Sequence, residues 1–180
     1  MSMRINVAEN RARSDWRLQI QIARVLWGLC LPLFRLSPRI FWQWRVWLLR
    51  CFGAEIGRDV RLHPTVRIMM PWHLQIGDQA AVGDGAILYA LAHITIGHRS
   101  TVSQYAHLCT GSHDRNDPTR PLIRRPITIG DDAWICADAF VGPGVHVGHA
   151  AVLGARAVAM RDVPDGKIGV GNPLQIKEAL

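Results

Sequence analysis

Three histidines that could act as bases are spaced by twenty residues, at His73, His93 and His113. A neutral imidazole, with a pKa of about 6.5, is the side chain best suited to remove a proton from a hydroxyl at neutral pH. His113 follows Gly111, which allows a sharp turn, and Ser112, which together with nearby main-chain N–H groups could steady an oxyanion. The sequence therefore predicts His113 as a general base.

The equal spacing also suggests a metal site, because Zn²⁺ in catalytic sites takes three protein ligands. A twenty-residue spacing would place the three histidines at the same corner of three successive coils of a repeating structure, about 5 Å apart from one coil to the next. Side chains in register run parallel, however, whereas a tetrahedral metal needs them to converge. We therefore expect no metal, and we expect His93 to contact or orient His113 while His73 stands by. Cys109 is the rival nucleophile, but it follows an inward-facing leucine and is interpreted as structural.

The element that must position these side chains is a six-residue repeat between Ile56 and Pro164. Each unit has an aliphatic residue, often followed by glycine, and a small residue four places on. This period predicts a parallel β-helix, in which each unit is one short strand and one corner. The aliphatic positions are Ile56, Leu62, Ile68, Ile76, Val82, Leu88, Ile96, Val102, Leu108, Ile129, Ile135, Val141, Val147, Leu153 and Ala159. Among the residues four places after these, Trp72 alone is large. Ala92 and Ser112, spaced from it by steps of twenty residues, are expected at the equivalent corner of the next two coils.

The spacing of the aliphatic positions predicts five stacked coils and one long loop. The step is twenty residues from Ile56 to Ile76 and from Ile76 to Ile96, and it is eighteen from Ile129 to Val147. Between Ile96 and Ile129 it is thirty-three, so an excursion leaves the third coil at about residues 112–127. A long loop in a compact solenoid is usually functional, and this one carries His113.

The net charge of +7 on the 180-residue chain lies entirely in residues 1–50, which contain nine Arg and two acids. Five of the seven tryptophans lie there too, at Trp16, Trp27, Trp42, Trp44 and Trp47. Arginine interleaved with tryptophan and leucine is typical of an element in a membrane interface. Scattered in this way, it offers no groove-reading element, so we expect no nucleic-acid partner.

No run in this segment predicts a membrane-spanning helix. The most apolar stretch, Val25 to Phe34, is interrupted by Gly28 and Pro32 and falls short of the roughly twenty residues needed. The alternative to membrane contact is that two helices between Trp16 and Phe52 cap the open end of the β-helix, with the later tryptophans packed on the first coil. Both interpretations stay open at this point.

The predicted organisation is a basic N-terminal helical or capping segment (1–53), the β-helix (54–166), and a C-terminal turn and short helix (167–180). The four cysteines form no regular framework and predict buried thiols in a reducing cytoplasm, with peripheral contact at the inner membrane if the basic segment docks there. They are Cys30, Cys51, Cys109 and Cys136.

Several motifs together resemble the colanic acid biosynthesis acetyltransferases, members of the hexapeptide-repeat acyltransferases that include galactoside and maltose acetyltransferases. They are Pro71-Trp72, Gly77-Asp78, Val82-Gly83-Asp84, Leu88-Tyr89, Ile94-Thr95-Ile96-Gly97, Ser103-Gln104 and, most specifically, Cys109-Thr110-Gly111-Ser112-His113-Asp114. The likeness runs from Phe41 to Pro173. It implies a left-handed β-helix, a homotrimer, acetyl-CoA as donor, a sugar hydroxyl as acceptor and a role in exopolysaccharide biosynthesis.

The resemblance also implies roles for single residues. His113 matches the catalytic base. Trp134 and Ala137 match the border of the pantetheine groove, and Ala155 and Arg161 match positions further along the coenzyme. Residues that would bind the acceptor or orient the base are His93, Tyr89 and Asp84. Ile87 and His93 depart from the family, since close relatives tend to have Asn and an acid there. Two consequences stay open: a different acceptor, or an imidazole pair, His93 and His113, that titrates together.

Two other classes of protein remain as alternatives. A γ-class carbonic anhydrase uses the same solenoid with zinc held by histidines across a subunit interface. A purely structural β-helix would lack the long loop with its histidine. The sequence leaves open whether the acceptor is lipid-linked or soluble and how long the acyl chain of the donor is.

Overall fold

The computed structural model describes residues 5–12 and 16–178. Within these ranges the chain forms three α-helices before the solenoid and one 3₁₀ helix inside it. The α-helices are α1 (Val7–Ala12), α2 (Leu18–Arg35) and α3 (Trp42–Cys51), and the 3₁₀ helix is Pro71–His73. None of the described helices is long and apolar enough to cross a membrane.

The solenoid is a left-handed parallel β-helix, and its described residues make five coils, as predicted. The first coil is β1 (Glu55–Ile56), β2 (Arg61–Leu62) and β3 (Arg67–Ile68). The second is β4 (Leu74–Ile76), β5 (Ala81–Val82) and β6 (Ile87–Tyr89), and the third is β7 (Ile94–Ile96), β8 (Thr101–Val102) and β9 (His107–Cys109). The hairpin strands β10 (Gly111–His113) and β11 (Leu122–Arg124) follow. The fourth coil is β12 (Ile127–Ile129), β13 (Trp134–Ile135) and β14 (Phe140–Val141), and the fifth is β15 (His146–Val147), β16 (Val152–Leu153) and β17 (Val158–Ala159).

Equivalent strands of successive coils pair in parallel and form three sheets. Sheet A is β1-β4-β7-β12-β15, sheet B contains β2-β5-β8-β13-β16, and sheet C is β3-β6-β9-β14-β17. The register places equivalent aliphatic residues above one another, so that Ile76 pairs with Ile96 and Ile96 with Ile129. These side chains are buried and form one continuous core.

The corners of the coils require special backbone. At the corner between sheets A and B, residues such as Gln79, Arg99 and Asp132 have φ near +60°. Their N–H groups donate to carbonyls of the preceding coil; for example, Arg99 N donates to Asp78 O at 2.8 Å. Each corner is thus hydrogen-bonded to its neighbour, which offsets the cost of a left-handed non-glycine residue.

The third corner corrects the predicted pattern of small residues. Trp72, Ala92 and Ser112 do not occupy a tight inner corner: the first two are half-buried and Ser112 is exposed. The inward residues there are the large Leu74, Ile94 and Ile127. The extra residues widen the corner between sheets C and A, so a large side chain fits where the other two corners accept only small ones.

The C-terminal helix predicted from the sequence is wrong. The chain instead forms an antiparallel hairpin, β18 (Ile168–Val170) and β19 (Gln175–Lys177), which continues sheet B beyond β16. The prediction of uniformly buried thiols is also wrong, because Cys51 is exposed and the other three cysteines are half-buried.

The N-terminal helices pack on the first coil in different ways. Helix α3 buries Val46, Leu48 and Leu49 against the core at the open end of the β-helix. Helix α2 lies beside sheet C, where Trp27 Nε1 donates to the carbonyl of Ile68 at 2.9 Å. Of the three tryptophans that the capping interpretation packs on the first coil, Trp42 does so, with its ring centroid 5.5 Å from that of His63. Trp44 and Trp47 do not; they stack on each other, with ring centroids 5.1 Å apart, and stay exposed.

Arg45 of α3 is fully buried, and among the described residues its guanidinium hydrogen-bonds neutral oxygens and lies 4.9 Å from the ring centroid of Trp42. Its guanidinium donates to Ser37 Oγ and to the carbonyls of Leu62, Pro38 and Arg39 over distances from 2.6 to 2.9 Å. Burial lowers the pKa of this guanidinium from its ordinary value. Arg45 therefore joins α3, the α2–α3 connection and β2, and it contributes nothing to the exposed positive surface.

Candidate active site on the hairpin

The predicted loop is a β-hairpin that projects from the solenoid between β9 and β12. Strands β10 and β11 pair antiparallel, with Gly111 opposite Arg124 and His113 opposite Leu122. Asp114 N donates to Pro121 O at 3.1 Å, which extends the pairing toward the tip. His113 thus sits on a hydrogen-bonded strand rather than on a free loop, and its side chain is exposed.

The hydrogen bond of His113 defines its tautomer. Its Nδ1 lies 2.7 Å from the main-chain oxygen of Arg120. A carbonyl oxygen can only accept, so the neutral ring carries its proton on Nδ1 and keeps the lone pair on Nε2. An exposed imidazole with its outward nitrogen unprotonated is arranged to accept a proton from a hydroxyl.

Helix α1 holds the far side of the same hairpin. Asn6 and Glu9 form a reciprocal cap at the start of the helix, and Asn6 N donates to Pro118 O at 2.9 Å. Asn10 Nδ2 donates to the carbonyls of Thr119 and, at 3.1 Å, Arg120. The Arg120 carbonyl therefore receives both Asn10 and His113, and Arg120 itself has a left-handed φ of 45°. The N-terminal segment thus helps to place the carbonyl that orients His113.

The base of the hairpin is fixed by Thr110, which is fully buried. Its hydroxyl donates to Tyr89 O at 2.8 Å and accepts from Ala92 N at 2.9 Å. A Cβ placed on Gly111 would lie 3.3 Å from the Tyr89 ring and 2.8 Å from Leu91 Cδ1, so a larger residue here would require the Leu91 side chain to move. Tyr89 therefore borders the strand that carries His113.

The predicted ladder of three histidines is only partly formed. The rings of His73 and His93 lie 5.0 Å apart, as their register in neighbouring coils requires. Ile94 pairs with Ile127, so the residue that follows His93 in the stack is Pro126 and not His113. The hairpin carries His113 away from the corner, and the expected ladder through it is wrong. No group of three or more described His, Cys, Asp or Glu residues could hold a metal ion.

Other predicted site residues occupy separate positions. Asp84 lies at the corner between sheets B and C, where it binds the Thr65 hydroxyl, whereas His113 leaves from the corner between sheets C and A. Within one chain Asp84 is therefore on another edge. Cys109 is half-buried, and its thiol lies 3.3 Å from Gly111 O, which suits a structural role better than a nucleophilic one.

The residues predicted to border the coenzyme lie on the fourth and fifth coils. Ala137 and Ala155 stack at the corner between sheets B and C, where Arg156 N donates to Ala137 O at 2.9 Å. Trp134 faces outward on sheet B, and its indole N–H donates to Ser103 Oγ at 2.9 Å. Arg161 lies after β17 and donates to Leu174 O at 2.9 Å. Within one chain, Ala137 and Ala155 are thus separated from His113 by the width of sheet C, whereas Arg161 lies at the corner between sheets C and A, from which the hairpin also leaves.

Sequence reasoning missed the residues that orient His113. Asn10 and Arg120 act through a main-chain carbonyl, and a carbonyl has no sequence signature. The Asn6-x-x-Glu9 capping pattern could have located the start of α1, but its contact with the hairpin spans more than a hundred residues of chain.

The chain matches no protein-family model. It is 44% identical over 147 residues to the Escherichia coli K12 protein named colanic acid biosynthesis acetyltransferase WcaF, covering 82% of this chain and 81% of that protein. Among solved structures, a hexapeptide-repeat acetyltransferase of Vibrio cholerae O1 in complex with acetyl coenzyme A superposes with a TM-score of 0.85 at 24% identity, covering 93% of this chain and 92% of the other. A maltose O-acetyltransferase of Clostridium difficile 630 superposes with a TM-score of 0.84 at 19% identity, covering 99% of both chains. From the first of these relationships, this chain belongs to the colanic acid biosynthesis acetyltransferase family of hexapeptide-repeat acyltransferases.

Proposed function

We propose that the protein transfers an acetyl group from acetyl-CoA to a hydroxyl of a saccharide used in exopolysaccharide biosynthesis, with His113 as the general base. The observation that carries this proposal is the hydrogen bond from His113 Nδ1 to the Arg120 carbonyl, which leaves the exposed Nε2 able to accept a proton. The acetyl-CoA complex of the Vibrio cholerae relative supports the donor, and the family supports the reaction.

The reaction needs no acyl-enzyme. His113 Nε2 removes the proton of the sugar hydroxyl as its oxygen attacks the thioester carbonyl. Collapse of the tetrahedral intermediate breaks the C–S bond, and the imidazolium returns the proton to the leaving thiolate. A positioned general base contributes on the order of 10²–10⁴ in rate, and holding both substrates in one cleft adds to it.

The donor side requires a second subunit. His113 leaves one corner of the triangular coil, while Ala137 and Ala155 line another, at the far side of sheet C. In a homotrimer the coenzyme corner of one subunit would face the hairpin of the next, so that a complete site forms between subunits. The small side chains of Ala137 and Ala155 of one subunit would then leave room for pantetheine, and the exposed Arg161 of the subunit that supplies the hairpin would meet a phosphate.

Replacement of the proposed base tests this assignment. We expect His113→Ala to lower kcat by about 100-fold or more with little change in the KM for acetyl-CoA, because the imidazole acts on the acceptor proton. His98→Ala is the matched control, since His98 is an exposed histidine at the corner between sheets A and B, whereas the hairpin leaves from the corner between sheets C and A. Near-normal turnover of His113→Ala in a thiol-release assay would exclude His113 as the base.

The assembly has its own test. Light scattering of the purified protein should give the mass of a trimer, and mixing subunits that lack His113 with subunits altered at Trp134, on sheet B, should restore part of the activity. A stable monomer with full activity would contradict a site shared between subunits.

The N-terminal helices supply a surface that fits an anionic membrane. Residues 16–54 contain six arginines and no acidic residue. The outward side of α2 and the start of α3 expose large apolar side chains: Leu18, Ile22, Val25, Leu26, Leu29, Leu33, Leu36, Ile40, Phe41, Trp44 and Trp47. Apolar residues flanked by arginines match an interfacial element, so we include peripheral docking on anionic lipid in the proposed function.

Vesicle co-sedimentation tests the docking surface. The protein should bind anionic but not zwitterionic vesicles, and binding should weaken with added salt. Arg17→Gln with Arg39→Gln should reduce binding, because both arginines are exposed in the helical segment. Arg58→Gln with Arg99→Gln, on the solenoid, is the charge-matched control. If the protein stays in the supernatant with anionic vesicles at low salt, this docking surface is excluded.

A further inference from the structure

A groove lies between α2 and the outer face of sheet C, with a volume of about 820 Å³. From the helix its walls include Trp27, Gly28 and Leu31, and from the sheet they include Ile87 and Tyr89. The volume falls within the range of about 300–1,000 Å³ that is usual for small-molecule sites. The groove is separate from the corner at which Ala137 and Ala155 would border the coenzyme.

The charged groups of the groove all have one sign. Arg24, Arg35 and Arg67 line it, and no acidic residue is among the described residues that do so. Arg67 projects from the two-residue strand β3 and is exposed, as is Arg35 at the end of α2. Three guanidinium groups beside the apolar residues of this groove suit a ligand that has both an anionic group and a hydrocarbon chain.

His107 adds an unpaired polar atom to the same groove. Its Nε2 is buried and has no hydrogen-bond partner among the described residues. The ring is held by edge contacts with Tyr89 and Phe140, at centroid distances of 6.5 and 5.2 Å. A buried polar atom left unpaired in the protein is commonly satisfied by a ligand or water. His107 thus places an unsatisfied buried polar atom beside the groove, in addition to the arginines that line it.

One end of the groove reaches the hairpin. Tyr89 lines the groove, and its ring borders Gly111, two residues before His113. Trp16 also connects α2 to the hairpin. Arg24 of α2 lies 5.7 Å from its ring centroid, and Arg124 of β11 lies 4.5 Å from it. A molecule bound along the groove would therefore lead toward the proposed base.

The groove also borders the exposed apolar side of α2. Val25 belongs both to the groove lining and to the exposed apolar residues of the helix. A hydrocarbon chain leaving the groove there would continue into the surface that we assign to lipid.

We infer that this groove binds the lipid-phosphate end of the acceptor, a hydrocarbon chain ending in a phosphate or diphosphate that carries the saccharide. The arginines bind the phosphate, α2 and sheet C bind the first part of the chain, and the saccharide extends past Tyr89 to His113. The link to acetyl transfer rests on the proposed function, whereas binding in the groove does not depend on it.

Calorimetry with three soluble probes tests the binding. Farnesyl diphosphate contains both parts of the ligand, farnesol contains the chain alone, and inorganic pyrophosphate contains the charge alone. Saturable binding is expected for farnesyl diphosphate and much weaker binding for the other two. Arg67→Gln should weaken it about tenfold or more, as a charge-assisted contact is lost. Arg61→Gln, at the equivalent outward position of β2, should leave it unchanged.

A second variant fills the groove without removing an interaction. Gly28 lies within α2, and a Cβ placed there meets no atom within 4 Å. Gly28→Leu should favour the helix and abolish binding of farnesyl diphosphate. Absence of saturable binding, equal binding of farnesol and farnesyl diphosphate, or unchanged binding in both Arg67→Gln and Gly28→Leu would overturn the proposal.

The two proposals fail separately. If a soluble saccharide is acetylated but farnesyl diphosphate does not bind, the groove assignment is wrong and the transferase stands. If farnesyl diphosphate binds with the expected variant effects, and binds equally well to His113→Ala, the groove stands even where no acetyl transfer to any saccharide is detected.

Discussion

The solenoid and the N-terminal segment are built on opposite principles. In the solenoid each coil repeats the same inward residues, and the aliphatic core is closed on all three sides. In the N-terminal segment α2 buries Trp27 and Phe34 but leaves most of its leucines and isoleucines exposed. The solenoid is held together by stacking of equivalent coils. The N-terminal segment instead makes individual contacts to the first coil and to the hairpin, and it forms one wall of the groove.

This difference locates where function can vary. A change inside the repeat disturbs every neighbouring coil, because equivalent residues are in direct register. The N-terminal segment is free of that constraint, so it can carry charge and apolar surface and can place a hydrogen bond at the Arg120 carbonyl. Four predictions test this division, beginning with the largest expected effect.

Arg45 is the strongest single connection between the two regions. Arg45→Ala should lower the free energy of unfolding by about 3–5 kcal/mol, because it leaves buried carbonyls unpaired and opens a cavity. Arg58→Ala is the control, since the Arg58–Asp78 pair lies at the surface, where solvent screens an ion pair and it contributes little to stability. Urea unfolding measures both. Equal losses in the two variants would show that Arg45 does not join the regions.

Two glycines should respond in opposite directions. A Cβ on Gly97, in the solenoid, would lie 2.5 Å from main-chain atoms of the next coil, Gly130 C and Asp131 N. Gly97→Ala should therefore destabilise the protein by about 1–3 kcal/mol or more. Gly28→Ala, in α2, meets no atom and should stabilise by about 0.5–1 kcal/mol through helix propensity. Shifts of the same sign in thermal unfolding would contradict the division.

Asn10 tests whether the N-terminal segment reaches the proposed base. Asn10→Ala should lower kcat by about threefold to tenfold, the value of one hydrogen bond, because the Arg120 carbonyl is held less firmly. The KM for acetyl-CoA and the unfolding midpoint should change little. Asn116→Ala, an exposed asparagine in the same hairpin, is the control. A loss of stability that matches the loss of turnover would indicate only a structural contact.

His107 predicts a pH dependence of stability. Burial lowers the pKa of His107, so the folded protein resists a proton that the unfolded chain, with a pKa of about 6.5, accepts. The contribution of neutral His107 to the free energy of unfolding is therefore fully present above a pH of about 6.5 and is lost as the pH falls below it. His107→Phe should reduce the difference between urea midpoints at pH 7.5 and pH 5.5. Burial also lowers the pKa of His63 and of His73, so part of the difference should remain. An unchanged difference would exclude His107 as a contributor.

Much of the fold could be predicted because a solenoid is close to one-dimensional. The hexapeptide period, the twenty- and eighteen-residue steps and the thirty-three-residue gap indicate the coils and the excursion between β9 and β12. His113 could be predicted as a candidate base because it lies where that excursion begins. The small-residue pattern misled at Trp72 because added residues widen a corner, and a linear pattern does not show the width of a corner.

The sequence by itself determined the repeat, the confinement of the net charge to the first fifty residues and the position of His113 in the excursion, since all three depend on local order along the chain. Only the tertiary structure decided that the excursion is a hairpin, that Pro126 takes the third place in the histidine stack, and that Arg45 is buried while Trp47 is exposed. It also brought Asn10 to the Arg120 carbonyl and α2 beside His107. These contacts join residues far apart in the chain, and they depend on packing that sequence order does not show: α2 buries Trp27 and Phe34, and α3 buries Val46, Leu48 and Leu49.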